Sequence, residues 1–281
     1  MASPPFAVGI FFAEIIKIAN PCRILTDIYY KEYSHGGGES LIRGLYTAAT
    51  GMIAEQTRQD TVANNLANVN TVGFKRDNVT ETSFHELLLN AYSKKGATPI
   101  GALGLGVDVD GSYTDYSTGN IVPTDNPTDL AITGDALLAV ERNGQVRYTR
   151  AGNLTLNQDR TLVTQNGDPV LGQNGPIQLA GSFTVAPDGA IIQNGQEVDR
   201  LRLSSTAGMV KQDDFYVSGN AAPAAAGADT RIIQGALEGS NVNPIREMIN
   251  MITVTRSYDA NQKVLLAQDD TLGKAVNDLA K

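Results

Sequence analysis

Ala63-Asn-Asn-Leu-Ala-Asn-Val-Asn-Thr-Val-Gly-Phe-Lys-Arg76 decides how the rest of the chain is read. Four asparagines, Asn64, Asn65, Asn68 and Asn70, crowd the end of an otherwise helical pattern. An asparagine amide competes for nearby backbone groups and weakens a helix interior. A solitary helix gains nothing from four of them. Amides that bond across to neighbouring helices cost stability but fix register and partner choice. The stretch therefore predicts assembly before chemistry, with Asn65, Asn68 and Asn70 as the register residues.

Upstream, residues 41–69 read as one helix. Leu45, Ala48, Met52, Val62, Leu66 and Val69 form a thin seam spaced by three and four, with Glu55 and Gln59 at the middle steps. Asn70 and Gly73 are natural stop residues because both tolerate a left-handed backbone. At the far end Ser240-Asn-Val-Asn-Pro244 starts a second helix, with Asn243 as N-cap and Pro244 at the first helical position. Its apolar face is Ile245, Met248, Ile249, Ile252, Leu265, Leu272, Val276 and Leu279.

The middle has a different texture. Residues 74–100 read as a linker, with a short helix expected within Thr80–Tyr92 through Phe84, Leu87 and Leu88, then an exposed loop over Lys94–Pro99. From 101 to 235 short β-rich runs alternate with Asn143-Gly, Asn166-Gly, Asn174-Gly, Asp188-Gly and Asn194-Gly. Such dipeptides suit type I′ turns, which need positive φ at both central residues. Glu141–Arg147 and Ile191–Val198 are the best hairpin candidates. The predicted fold class is α+β: a discontinuous coiled-coil pair of terminal helices flanking an antiparallel all-β domain. The divisions are 1–40, 41–73, 74–100, 101–235 and 236–281.

The first forty residues are atypical. Phe6–Ala19 is apolar but carries Glu14 and Lys17. It is shorter than the ~20 apolar residues of a membrane span and lacks the basic flank and cleavage site of a signal peptide. The run through His35-Gly-Gly-Gly-Glu-Ser40 is expected to be translated from upstream of the natural start, with Leu41 at a non-standard start codon.

Composition removes several classes of function. The 281 residues carry a net charge of -8, no Trp and 6% aromatic residues, with a mean hydropathy of -0.16. Nucleic-acid binding needs a basic patch and stacking platforms, so it is not expected. One cysteine, Cys22, and two histidines, His35 and His85, cannot supply a zinc site or an internal disulfide. No metal or cofactor is expected. Gly101–Gly106 lacks the Gly-Lys-Ser/Thr ending of a phosphate loop and reads as a turn or bulge. Asp108–Asp115 lacks the closing Glu of a calcium loop and reads as a strand ending in an Asp-Gly turn. Asp125, Asp129 and Asp135 invite comparison with paired catalytic carboxylates, but they lie among Pro and Gly turns where Asp is ordinary.

Several segments together resemble a known family. Leu41-Ile-Arg-Gly-Leu-Tyr-Thr-Ala-Ala-Thr-Gly-Met52 followed by Ala63–Lys75 is similar to the start of bacterial flagellar rod and hook proteins. Asp129-Leu-Ala-Ile-Thr-Gly134, Tyr148-Thr-Arg-Ala-Gly-Asn153 and Leu162-Val-Thr164 match its middle; Gln234–Asn243, Glu247–Ile252, Arg256 and Tyr258 match its C-terminal motif. Departures are Ala136, Leu137 and Leu138 where a Gly and paired Phe are usual, Leu154 for Phe, and Asp159-Arg160 for Asp-Gly.

The resemblance implies a non-enzymatic subunit of the flagellar basal-body rod, the tubular drive shaft that crosses the periplasm. Lys274-Ala-Val-Asn277 and the short start lean towards the proximal-rod protein. It also implies export through the flagellar type III apparatus without a cleaved signal, no membrane insertion, and partners that are copies of itself, other rod proteins and hook proteins. The expected assembly residues are Leu45, Met52, Asn64, Asn65, Leu66, Asn68, Asn70, Gly73, Asn241, Asn243, Met248, Ile252, Leu265 and Leu272. The helices are expected to be largely disordered in the free monomer, because polar seams gain little without partners. The competing class is a secreted β-rich binding module or carbohydrate-active enzyme with a helical stalk.

Overall fold

The computed structural model describes residues 39–279 apart from 84–85, 94–95, 105, 213–214, 220–223 and 228. Residues 1–38 of the atypical segment 1–40, with Cys22 and His35, lie outside the described residues, as does His85, while Glu39 and Ser40 fall in the first helix.

Two long helices frame the chain, α1 (Glu39–Ala67) and α2 (Pro244–Leu279). The second begins where its sequence dictates. Asn243 Oδ1 accepts from the backbone N–H of Ile245 and of Arg246, both at 3.1 Å, which satisfies two of the orphan donors of the first turn. The first ends at Ala67, and a turn through Asn70 leads to Gly73, whose φ of 70° is left-handed.

The segment after α1 departs from expectation. In place of a short helix it forms β1 (Asp77–Ser83), β2 (Glu86–Ser93), β3 (Gly96–Gly104) and β4 (Val107–Thr114). β1 pairs with β4 and β2 with β3, both antiparallel, so the described residues of 77–114 form a ribbon of two nested strand pairs. Leu87 and Leu88, whose spacing suggested a helical period, pair with Leu103 and Ala102 as strand residues, and Phe84 lies outside the described residues. A strand also occupies Gly96–Pro99, where a loop was expected. Asp110-Gly111 is not a turn either. β4 runs through it, and Asp110 is the extra residue of a bulge, since Val109 faces Glu81 and Gly111 faces Thr80.

The β domain then builds on β5 (Ile121–Pro123), β6 (Leu130–Thr133), β7 (Ala136–Arg142) and β8 (Gln145–Thr149). A five-stranded antiparallel sheet has the order 203–205, β7, β8, 215–218, 209–212. β7 is an interior strand of this sheet and is buried on both faces. Ala136, Leu138 and Val140 join the main core with Leu154, Leu162, Ile177 and Ile191. Leu137 and Ala139 point the other way, to Tyr148, Leu171 and Tyr216. A continuous apolar run is what a doubly covered strand requires; the substituted Ala136-Leu137-Leu138 fills its site completely, each at 0% exposure.

Both hairpin candidates are present. Asn143 and Gly144 have φ of 54° and 73°, and Asn194 and Gly195 have 52° and 80°, the left-handed pair that a type I′ turn needs. Two further strands return the chain to the helices: 231–234 pairs with β6 and 236–238 pairs with β5.

Candidate assembly interface and its joint

α1 and α2 pack antiparallel, and glycine allows the closest approach. A Cβ on Gly44 would lie 2.9 Å from Nε2 of Gln268, and one on Gly51 would lie 2.9 Å from Nδ2 of Asn261. Both pairs step by one heptad, in opposite directions along the two helices. One heptad further on, Arg58 and Val254 line a common cavity, and one more step brings Asn65 and Glu247 to its wall. The seven-residue step on both sides makes a regular antiparallel seam. Ala48, Ala54, Val62 and Val254 are its buried apolar members.

The seam uses only one side of α2. Ile245, Met248, Ile249 and Ile252 are 67%, 49%, 58% and 54% exposed. At 100° per residue they centre almost half a turn away from Glu247 and Val254. The helix carries a second apolar stripe that the described residues of its own chain do not cover.

At the base of the hairpin, residues 73–77 knit three elements together. Gly73 N–H donates to the Glu238 carbonyl at 2.8 Å. Lys75, at 0% exposure, donates its Nζ to Glu238 Oε1 and to the Ser117 carbonyl, both at 2.7 Å. The other oxygen of Glu238 takes Arg150 Nε at 2.6 Å. Arg150 in turn donates to the carbonyls of Ile132 at 2.8 Å, Gly134 at 2.7 Å and Ala136 at 2.5 Å. Gly119 N–H adds a further bond to Glu238 at 2.8 Å.

Burial alone would push the Glu238 carboxyl up. Arg150 and Lys75 outweigh that and hold it below its ordinary range. Burial pulls Lys75 below the usual lysine value against the counter-pull of Glu238. One carboxylate thus serves two cations in a dry site, with nearly every polar atom bonded, the condition under which buried charge is tolerated.

The next residues continue the joint. Arg76 N–H donates to Asn241 Oδ1 at 2.8 Å, and its guanidinium meets Glu247 at 3.3 Å. Asp77 takes Lys211 Nζ at 2.7 Å, and the same ammonium sits 4.0 Å from the centre of the Phe74 ring.

This joint changes the reading of the asparagines. Asn65 is buried and spends its amide inside the chain: its Nδ2 donates to the Asp77 carbonyl at 2.8 Å and its Oδ1 accepts from Asp77 N–H at 3.0 Å. Asn241 Nδ2 donates to the Asp115 carbonyl at 2.8 Å. Asn68 bonds locally, to the Asn64 carbonyl and to Thr71 Oγ1 at 3.0 and 3.1 Å. Asn243 is the cap described above. The amides of Asn65 and Asn241 therefore tie the helices to the chain at Asp77 and Asp115, while Asn68 closes the end of α1 on itself. Asn64 and Asn70 are exposed, Gly73 is buried, and Leu45, Met52, Leu66, Leu265 and Leu272 are half-buried along the hairpin. Met248 and Ile252 belong to the outward stripe.

The residues not singled out from sequence are Lys75, Glu238 and Arg150, although all three stand inside the motif segments quoted for the resemblance. Of the carboxylates weighed for catalysis, Asp129 is buried and takes Thr124 Oγ1 at 2.7 Å and Asn126 Nδ2 at 3.2 Å. It staples a turn.

A jointed helical hairpin with an uncovered apolar stripe, mounted on a β domain, is the build of a structural subunit. Comparison with known proteins places it further. Residues 45–75 match the family model "Flagella basal body rod protein", residues 131–196 match "Flagellar hook protein FlgE/F/G D1 domain", and residues 233–279 match "Flagellar basal body rod FlgEFG protein C-terminal". The flagellar basal-body rod protein FlgF of Rhizobium meliloti (strain 1021) is 35% identical over 245 residues, covering 84% of this chain and 97% of its own. FlgG of Bacillus subtilis (strain 168) is 33% identical over 261 residues, covering 84% and 99%. The flagellar hook-basal body complex protein FlhO of the same organism is 32% identical over 270 residues, covering 86% and 100%. The chain belongs to the flagellar basal-body rod proteins, and its role is that of a structural rod subunit.

Proposed function

We propose that the chain polymerises through α1 and α2 into the tubular rod used in motility, with the β domain outside the tube. The observation that carries this is the outward stripe Ile245–Ile252 on a helix whose opposite side is already filled. Exposed apolar rows of this kind mark interaction surfaces. The interface we assign comprises Met248 and Ile252 in the stripe, with Leu45, Met52, Leu66, Leu265 and Leu272 rearranging or extending the hairpin contacts. Asn64, Asn68 and Asn70 belong to the same assembly surface; Asn65 and Asn241 hold its angle through the bonds described above, Gly73 makes the turn and Asn243 caps α2. The working divisions are the assembly segments 41–73 and 236–281 and the β domain between them, to which 77–114 now adds its ribbon.

In this reading the protein carries no catalytic activity. It passes through the flagellar type III apparatus without a cleaved signal, crosses the periplasm as part of the rod, and meets copies of itself, other rod proteins and hook proteins. The proximal rod remains the favoured position. The test is removal of residues 41–72 in the native cell, followed by electron microscopy of isolated basal bodies. Loss of the rod and of motility is expected. Intact rods containing the shortened protein would overturn the proposal.

A further inference from the structure

The outward stripe has a complement on the same molecule. A cleft of about 710 Å³ lies between α1, β4 and the strand 209–212. Thr57, Asp60 and Asn64 form its α1 wall, and Tyr113, Met209 and Val210 face them. Tyr113 and Val210 are 57% and 55% exposed, so the cleft offers apolar surface to an incoming side chain. Charge agrees with shape. Asp60 on the cleft wall is exposed and has no ion pair among the described residues. Arg256, one helical turn beyond Ile252 on the line of the stripe, is likewise exposed and unpaired there.

We propose that the Ile245–Arg256 face of α2 in one copy docks into the Thr57–Asn64 cleft of a second copy, with Arg256 meeting Asp60. This rests on the reading of the chain as a rod subunit and names the two surfaces that meet. The stripe is on α2, and no residue of α2 lines the cleft. A copy that donates its stripe therefore keeps its own cleft free. Such a head-to-tail contact between unlike surfaces closes into a ring or continues as an open helix, and it does not stop at a symmetric pair. A net charge of -8 opposes association of copies at random, and a local arginine facing a local aspartate selects one approach over others.

The test uses the full chain with Cys22→Ser, expressed in its native cell in place of the natural copy, and a short bis-maleimide applied to isolated basal bodies. With Thr61→Cys and Ile249→Cys together, a ladder of dimers, trimers and longer species is expected, and neither cysteine alone should cross-link. Asp60→Arg should reduce the ladder at least about tenfold through like-charge repulsion, and Asp60→Arg with Arg256→Asp should restore it. Dimers from either single cysteine, a cross-link confined to one chain, or no restoration by the reversed pair would overturn the docking. Flagellated cells without a ladder would sink this contact and leave the rod reading standing. Absence of the chain from basal bodies would remove both.

Discussion

Replacing Glu238 by Gln tests the joint most directly. The substitution keeps the shape and removes the one negative charge between Lys75 and Arg150. The substituted amide can still present its oxygen to Lys75 Nζ and Gly119 N–H, which lie 2.7 and 2.8 Å from Oε1 of Glu238. Its nitrogen must then face Arg150 Nε across the 2.6 Å now spanned by an ion pair, donor against donor. Two buried cations lose their shared counter-charge. Removing one partner of a buried pair costs about 3–5 kcal/mol, and at 2–4 °C per kcal/mol for a domain of this size the melting temperature falls by about 10 °C. Lys75→Met is the control, because Glu238 stays paired with Arg150 and one desolvated charge disappears. Its cost is about 1–3 kcal/mol: the Ser117 carbonyl and Glu238 Oε1 each lose one donor, but the carbonyl keeps Asn241 Nδ2 at 3.2 Å and Oε1 keeps the Gly119 N–H at 2.8 Å. The double variant should be milder than the two losses added, with a coupling of about 1–3 kcal/mol. Urea unfolding followed by circular dichroism and tyrosine fluorescence measures all three proteins, since the chain has ten tyrosines and no tryptophan. A Glu238→Gln loss equal to or below that of Lys75→Met, or strict additivity, would refute the charge argument.

Other expectations follow from single contacts. Gly73→Ala should unfold the joint by several kcal/mol, because a Cβ there would lie 2.4 Å from the Arg150 carbonyl oxygen on a backbone with φ of 70°; a thermal melt matching the parent would refute this. Asn65→Leu should cost about 2–3 kcal/mol by orphaning both backbone groups of Asp77, more than Asn68→Leu, whose bonds are local; hydrogen exchange at Asp77 distinguishes them. Asn243→Ala should cost about 1 kcal/mol through the lost cap, read as faster exchange in the first turn of α2. Acid should weaken the fold. Glu238 is held below its ordinary 4.5 and Asp115, bonded by Ser117 N–H, below its ordinary 3.8. Each depressed carboxylate contributes stability present above those values and lost as pH falls through the folded ones. A melting temperature flat from pH 5 to about pH 2 would contradict this.

The sequence made the two helices and the two Asn-Gly hairpins legible because local rules govern them: a cap, a proline, a left-handed turn. The ribbon 77–114 was not, since spacing in Phe84, Leu87 and Leu88 imitates a helical period and nothing local says that Glu86 will face Gly104. The asparagines drew attention for a sound reason, their cost to a helix, but an amide's partner is a tertiary fact. Asn65 finds Asp77 only because α1 turns back at Gly73. Lys75, Arg150 and Glu238 were passed over because charged residues are surface residues by default. Only the folded chain brings a residue at 75 against one at 238. The Arg160 departure also acquires meaning. Its φ is 58°, so arginine occupies a left-handed position where the family's glycine would be at ease.

The same joint imposes an order in time. Glu238 and Lys75 are 163 positions apart, and contacts of such separation form late because the intervening chain must first be gathered. During synthesis the β core can close while the start of the chain still has no Glu238 to hold it. The first helix waits, unanchored, for the last forty-odd residues to appear. A chain cut short before 238 would carry a finished centre and two loose ends, and the angle that a shaft must hold under load would never be set.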